Sequence, residues 1–320
     1  MSPNHTIDGQ FDTEEAQAFL TEKLGRTIAD VTLVGAGAWS HCFGFRQGAD
    51  EMVIRFGQYV DDFEKDQLAH RYATPALPIP EVLDIGPTDA GYYAISRRVH
   101  GSPLEAVTAE QWAAVVPSLV AAMEALRTAD LSITTGFGGW GSDGNGANAT
   151  WSEHLLAVDR DAPDRRTYGW RQRLATFSPE GEAAFQWGYA LLQAVAMDAV
   201  PRCLLHCDLI NRNVLVEDAK IAGVFDWGCS IYGDHLYELA WFEFWAPWMP
   251  ELDVSLLRAE LEKQWQAIGY VPEKKEERLA ACYLHIGLDH LAYNAYLGDW
   301  TTLLATAEQM RRLVTAVSPP

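Results

Sequence analysis

The run Leu205-His206-Cys207-Asp208-Leu209-Ile210-Asn211-Arg212-Asn213-Val214-Leu215-Val216, closed by Gly223-Val224-Phe225-Asp226-Trp227, constrains the fold more than any other stretch. A carboxylate is followed five residues later by an amide and, thirteen residues beyond that, by a second carboxylate. An apolar strand separates the amide from the second carboxylate. Phosphoryl transfer requires this set of groups: a base beside the attacking hydroxyl and two hard oxygen ligands for Mg²⁺. The plain alternative is a polar turn between buried strands with a few solvated Asp and Asn residues. It requires spacing, residue type and strand context to coincide by chance.

The rest of the chain is divided unevenly. Residues 14–24 predict a short amphipathic helix, and short strand-like runs follow at Val31–Val34, Cys42–Arg46, Met52–Phe56 and Tyr92–Ser96. One helix, near Asp61–Arg71, interrupts them, and Pro75, Pro78 and Pro80 force an extended connection after it. Residues 97–103 carry linker punctuation. Beyond them Thr108-Ala109-Glu110-Gln111 forms a capping box, and Trp112, Val115, Val116, Leu119, Val120, Met123 and Leu126 repeat with helical spacing. Pro117 should bend that helix or force a local adjustment. The six glycines between Gly136 and Ala149 predict a surface loop on the substrate side, and Ser178-Pro179-Glu180 opens another helix. Residues 235–316 are helical in pattern. A small β-rich lobe over residues 1–98 and a larger, mainly helical lobe over 99–320 make an α+β, bilobal, protein-kinase-like fold. His-x-Asp-x-x-x-x-Asn, a strand and Val-x-Asp are how such folds supply base and metal ligands.

The nucleotide side follows from two further features. Leu33-Val34-Gly35-Ala36-Gly37-Ala38-Trp39-Ser40 lies between predicted strands, so Gly35 and Gly37 would let backbone N–H groups approach phosphate oxygens, with Ser40 adding a hydroxyl. A Gly-x-Gly hairpin turn is common in its own right, and its place two strands before a basic residue gives it meaning. That residue is Arg55, at the position where kinase-like folds carry a phosphate-binding lysine held by a helical carboxylate. Arginine keeps the charge but presents a planar fork. Glu64 and Asp66 are both available as partners, and Asp66 is the one expected. Asp208 is then the base, with Asn213 and Asp226 on Mg²⁺. His206 is expected to support the loop, and Asp234 to cap a helix or tie the loop backbone. Glu243 and Trp245 lie in an aromatic helix whose carboxylate could meet an ammonium group and whose rings could meet sugar faces.

The net charge of −20, from 24 basic and 44 acidic residues, excludes a nucleic acid or anionic membrane as the natural partner. It suits a cationic small molecule, and equally a merely soluble acidic protein. Five cysteines without a C-x-x-C pair argue against a zinc site or a disulfide framework. No run reaches the roughly 18 apolar residues of a membrane span. A cytoplasmic protein is expected.

These residues resemble the aminoglycoside phosphotransferase family of the kinase-like superfamily. Ala76–Gly86, Ile95-Ser96-Arg97-Arg98, Gly136-Phe137-Gly138, Tyr232–Trp245, Pro247-Trp248 and Ile286–Asp289 carry the resemblance, which spans roughly residues 14–312. It implies γ-phosphate transfer from ATP, with Mg²⁺, to a hydroxyl of a cationic aminoglycoside, hygromycin B first among them, by a monomeric enzyme. It implies an adenine-binding hinge over residues 96–99, including Ser96, Arg97 and Val99. It also implies substrate carboxylates at Asp289 and at Glu238 or Glu243. Two departures bear on the acceptor: Cys207 stands where many relatives have glycine, and acceptor-side residues such as Trp241 and Glu243 differ from the family's hygromycin-modifying member. An amino sugar, a choline-like alcohol or a macrolide remains open as acceptor, and so does a nucleotide-binding pseudokinase.

Overall fold

The structure, a computed structural model, describes residues 11–25, 28–36 and 40–317. The chain begins with α1 (Thr13–Leu24), β1 (Ile28–Ala36), β2 (Ser40–Gln47), β3 (Asp50–Gly57), α2 (Val60–Ala69), β4 (Val82–Thr88), β5 (Gly91–Arg97) and β6 (Ser102–Pro103). There follow α3 (Ala109–Arg127), β7 (Phe137–Trp140), β8 (Gly146–Asn148), α4 (Trp151–Leu156), α5 (Trp170–Phe177), α6 (Pro179–Val195) and β9 (Cys203–Leu205). The last stretch holds β10 (Val214–Glu217), β11 (Lys220–Val224), β12 (Ile231–Gly233), α7 (Leu236–Trp245), α8 (Val254–Ala267), α9 (Lys275–Leu297) and α10 (Trp300–Val317).

The chain divides into two compact units. The first does not stop at residue 98, as the linker pattern suggests. It continues to Ala106 and takes in Gly141–Gly144 and Leu209–Cys229. Its antiparallel sheet has the order β1-β2-β3-β5-β4. Strand β3 shows why: Met52, Ile54 and Phe56 point inward in strict alternation, the mark of a strand with one buried face. They pack with Phe43, Phe45, Tyr93 and Ile95, and α1 closes this core with Ala16 and Leu20. Asp12 caps α1 through a complete capping box with Glu15, and Gly25 ends it in the left-handed region at φ 56°. Helix α2 packs against β4, β5 and the turn Trp227–Cys229. A second sheet joins β11, β10 and β6.

The second unit is mainly helical. Helix α3 starts at the expected Thr108–Gln111 box and runs unbroken through Pro117. Helix α9 is buried on nearly every side from Leu279 to Leu288 and packs against α5, α6, α7 and α10. A helix apolar all round belongs in a core.

The glycine-rich stretch 136–149 is not the loop its composition predicts. It forms β7 and β8, paired through Phe137↔Asn148 and Trp140↔Gly146, in a sheet ordered β8-β7-β12-β9. Close backbone approach accounts for two of the glycines, Gly136 and Gly146. A Cβ on Gly136, at φ 73°, would lie 2.3 Å from the Gly146 carbonyl oxygen.

Candidate active site

The first unit contains a cavity of about 770 Å³. Gly35 and Ser40 reach it from β1 and β2, Arg55 from β3, Asp66 from α2, and Ser96, Arg97 and Val99 from β5 and the residues after it. Asn213 and Asp226 line it as well. Gly37 lies outside the described residues.

Arg55 sits on the central strand of its sheet, between Cys42 and Ala94. Its side chain is 14% exposed, and its guanidinium binds the Asp66 carboxylate and lies 4.7 Å above the Phe63 ring. Asp66, not Glu64, is the partner. Asp66 uses its other oxygen to accept the Trp227 backbone N–H at 2.7 Å, and Lys65 donates to the Gly228 carbonyl at 2.8 Å. Helix α2 is therefore tied both to β3 and to the turn after Asp226. Arg55 Nη1 also stands 3.8 Å from Asp226 Oδ1. Burial opposes the Arg55 charge, but the Asp66 and Asp226 carboxylates outweigh it and raise the guanidinium pKa. Burial pushes the Asp66 carboxyl up, against the pull of Arg55 and the Trp227 N–H.

The hairpin places the metal candidates side by side. Val214 pairs with Val224, and the Phe225 N–H bonds the Asn213 carbonyl at 2.8 Å, so Asp226 follows directly on the residue facing Asn213. Asn211, Arg212 and Asp226 all have left-handed backbone, at φ 59°, 67° and 58°. Such strain in non-glycine residues persists where surrounding contacts hold it. One of these contacts is the Arg212 N–H on Glu105 Oε1 at 2.5 Å, a residue that carries no motif. The Asp226 side chain is 49% exposed. An amide oxygen and a carboxylate are hard donors that suit Mg²⁺, which takes one or two protein ligands and completes its shell from phosphates and water. Among the described residues no three His, Cys, Asp or Glu side chains converge as a metal cage.

Asp208 belongs to the second unit. Its backbone N–H donates to Nδ1 of His206, which is fully buried. Cys207, between them, is left-handed at φ 64°, which explains why a glycine suits this position.

Two expected roles, those of Glu238 and Glu243, change here, and a third gains a partner. Glu238 is 2% exposed and cannot reach a substrate: its Oε1 accepts the backbone N–H groups of His206 and Cys207, the latter at 2.9 Å. Burial lifts its carboxyl to about 7, although those two N–H bonds oppose the rise. Glu243 is 13% exposed, and its carboxylate is taken by Arg258 Nε at 2.5 Å and by the Tyr283 hydroxyl. Asp234 does cap α7, through the Leu236 N–H at 3.0 Å, but its principal partner is the Arg278 fork at 2.7 and 2.5 Å. Arg278 and Arg258 had no motif to mark them.

Asp289 keeps a side chain 46% exposed, 4.0 Å from Arg165. The next residue, His290, packs 4.6 Å from the Trp245 ring, and Trp245 packs 5.3 Å from Trp248. The indole N–H groups of Trp241 and Trp245 are buried without an acceptor among the described residues.

Comparison with known proteins decides the class. Residues 54–274 match the model of the family described as "Phosphotransferase enzyme family". The chain belongs to this family. As a phosphotransferase it is 34% identical to the Hygromycin-B 4-O-kinase of Escherichia coli over 286 residues, 89% of this chain and 80% of that protein. A thermostable mutant of aminoglycoside phosphotransferase APH(4)-Ia, solved as a ternary complex with AMP-PNP and hygromycin B, superposes with a TM-score of 0.82 at 31% identity. That match covers 95% of this chain and 99% of the other. The gentamicin complex of APH(2")-IIa shares the fold, at a TM-score of 0.64 and 16% identity over 94% of this chain and 96% of that one. The phosphotransferase thus has the expected α+β, kinase-like architecture. Among its described residues no helix is long and apolar enough to cross a membrane.

Proposed function

We propose that this phosphotransferase moves the γ-phosphoryl group of ATP to a hydroxyl of hygromycin B or a close aminoglycoside relative. The observation that carries the reading is one cavity gathering Arg55, Asp66, Asn213 and Asp226, in a chain matched over nearly its full length by a hygromycin B kinase. Arg55, held by Asp66, presents its charge to the α- and β-phosphates, and the backbone at Gly35 approaches them closely. Asn213 and Asp226 would hold Mg²⁺, which supplies charge to offset that of the phosphate oxygens. Asp208 orients the acceptor hydroxyl and takes its proton as the oxygen bonds to the γ-phosphorus and the bond to ADP breaks. Ser96, Arg97 and Val99 border the adenine. Asp289 meets an ammonium group of the acceptor, and Trp245 and Trp248 meet its sugar faces. We place the enzyme in the cytoplasm, where ATP is available and free thiols such as its five cysteines persist.

A second reading keeps the chemistry and changes the acceptor. Glu238 and Glu243 are both committed inside the protein, which leaves an aromatic wall with Asp289 and favours a less cationic hydroxylated acceptor. A coupled ADP-release assay with Mg²⁺-ATP decides between them, with hygromycin B, kanamycin, streptomycin, a macrolide and no acceptor compared. Turnover on hygromycin B supports the first reading. Silence on every aminoglycoside refutes it and moves the search to other alcohols.

A further inference from the structure

The second unit carries a cation beside the carboxylate assigned to the acceptor. Arg165 stands in the segment between α4 and α5, and no motif marks it. Backbone carbonyls fix its guanidinium: Nη1 donates to the Ala157 carbonyl at 3.1 Å and to that of Arg160 at 3.5 Å. The segment is closed by Asp161, whose carboxylate accepts the Gly169 N–H at 2.7 Å and the Arg171 N–H at 3.1 Å. Arg165 Nη2 then lies 4.0 Å from Asp289 Oδ1, with the two side chains 31% and 46% exposed. At that separation opposite charges face each other without a hydrogen bond.

As a structural pin, a half-exposed pair of this length is worth little, and the carbonyls and Asp161 already hold the segment. Its effect on a ligand is larger. An ammonium group that approaches Asp289 must displace the guanidinium or bear its repulsion. The neighbouring imidazoles do not alter that balance. Burial lowers His154 to about 4 and holds His285 and His290 below their usual range, so near neutral pH none of the three adds a charge. We infer that Arg165 is a specificity-determining residue, a built-in competitor for Asp289 that lowers affinity for acceptors relying on this carboxylate; this rests on the aminoglycoside reading above.

The test is titration calorimetry of hygromycin B near neutral pH, without nucleotide, on the full chain. The variants are Arg165→Gln, Arg165→Lys, Asp289→Asn and the double variant Arg165→Gln with Asp289→Asn. Glutamine keeps an amide that can donate to the Ala157 carbonyl but carries no charge. Arg165→Gln should bind about two- to fivefold more tightly at low ionic strength. Most of that gain should vanish at about 0.5 M salt. Arg165→Lys, which retains the charge, should bind like the unsubstituted enzyme. In the Asp289→Asn background, Arg165→Gln should leave affinity unchanged. A gain that persists in that background, or an equal gain in Arg165→Lys, overturns the inference. Equal or weaker binding by Arg165→Gln overturns it too, while leaving the aminoglycoside reading in place. Binding by Arg165→Gln but not by the unsubstituted enzyme supports the inference and refutes that reading. Absence of binding by every protein overturns both.

Discussion

Glu238→Gln should remove a pH dependence of stability that can be sized from the structure. The Glu238 carboxyl is raised from 4.5 to about 7, with burial the largest cause. Below pH 4.5 it is protonated whether the chain is folded or unfolded. Between pH 4.5 and 7 the folded protein retains a proton that the unfolded chain has released, so stability falls as pH rises, and above pH 7 the loss is complete. The shift corresponds to about 3 kcal/mol. Glutamine keeps an oxygen that can accept from His206 and Cys207, but it does not titrate. Urea unfolding of both proteins at pH 5 and pH 8 gives a double difference in which other titrating groups cancel. His154 and His235 are such groups, both lowered to about 4 by burial, and they act in the opposite direction, adding stability as pH rises towards 6.5. The unsubstituted protein should lose about 2–3 kcal/mol relative to Glu238→Gln between the two pH values. Parallel behaviour of the two proteins would refute the assignment of a buried, proton-retaining carboxyl beneath the Asp208 loop.

Asp208→Ala should lower turnover by about 10²–10⁴ with little change in Mg²⁺-ATP affinity, measured by steady-state kinetics and calorimetry, because the residue acts on the acceptor hydroxyl. Near-normal turnover would remove it from the mechanism. Arg55→Ala leaves Asp66 buried without its cation and should weaken both nucleotide binding and folding, by about 3–5 kcal/mol in folding. Arg55→Lys should restore part of each, and equal behaviour of the two variants in both measurements would refute the pairing. Gly233→Ala would set a Cβ 2.1 Å from the buried Trp151 ring and should cost about 1–3 kcal/mol, read from the denaturation midpoint. An unchanged midpoint would contradict that packing.

Much of the first unit was legible because its signals are local. The alternation in Met52–Phe56 identifies β3, and Phe63, Asp66 and Ala69 fall on one buried face of α2, which is why Asp66 and not Glu64 reaches Arg55. The hairpin that brings Asn213 beside Asp226 was legible for the same reason: its spacing lies within one ladder. Glycine was misleading at 136–149, since the residue that marks a loop is also the one that lets two strands approach closely. Partners remote in sequence could not be read at all. Glu243 is fifteen residues from Arg258 and forty from Tyr283, and Glu105 is 107 residues from Arg212. A sequence shows that a carboxylate is present, but packing determines whether it faces a ligand.

That distinction changes what the acidic composition means. The segment Asp234–Glu243 supplies three carboxylates at the start of the acceptor-side helices, and each one is used internally: Asp234 by Arg278, Glu238 by the loop backbone and Glu243 by Arg258. None of the three contributes to attraction of a cationic drug, so the net charge of −20 is weak support for the acceptor's class. Asp289 is the carboxylate from the expected acceptor set that stays half-exposed, and its neighbour His290 adds no positive charge against it, because burial holds that imidazole below its usual range. On the proposed reading, selectivity would rest on Asp289, which Arg165 faces at 4.0 Å, and on the faces of Trp245 and Trp248. Such a surface tolerates variation in the sugar more readily than in the position of a single ammonium group. On that reading the acceptor side could vary without touching Arg55, Asp66, Asn213 and Asp226, because the cavity they line is built entirely within the first unit.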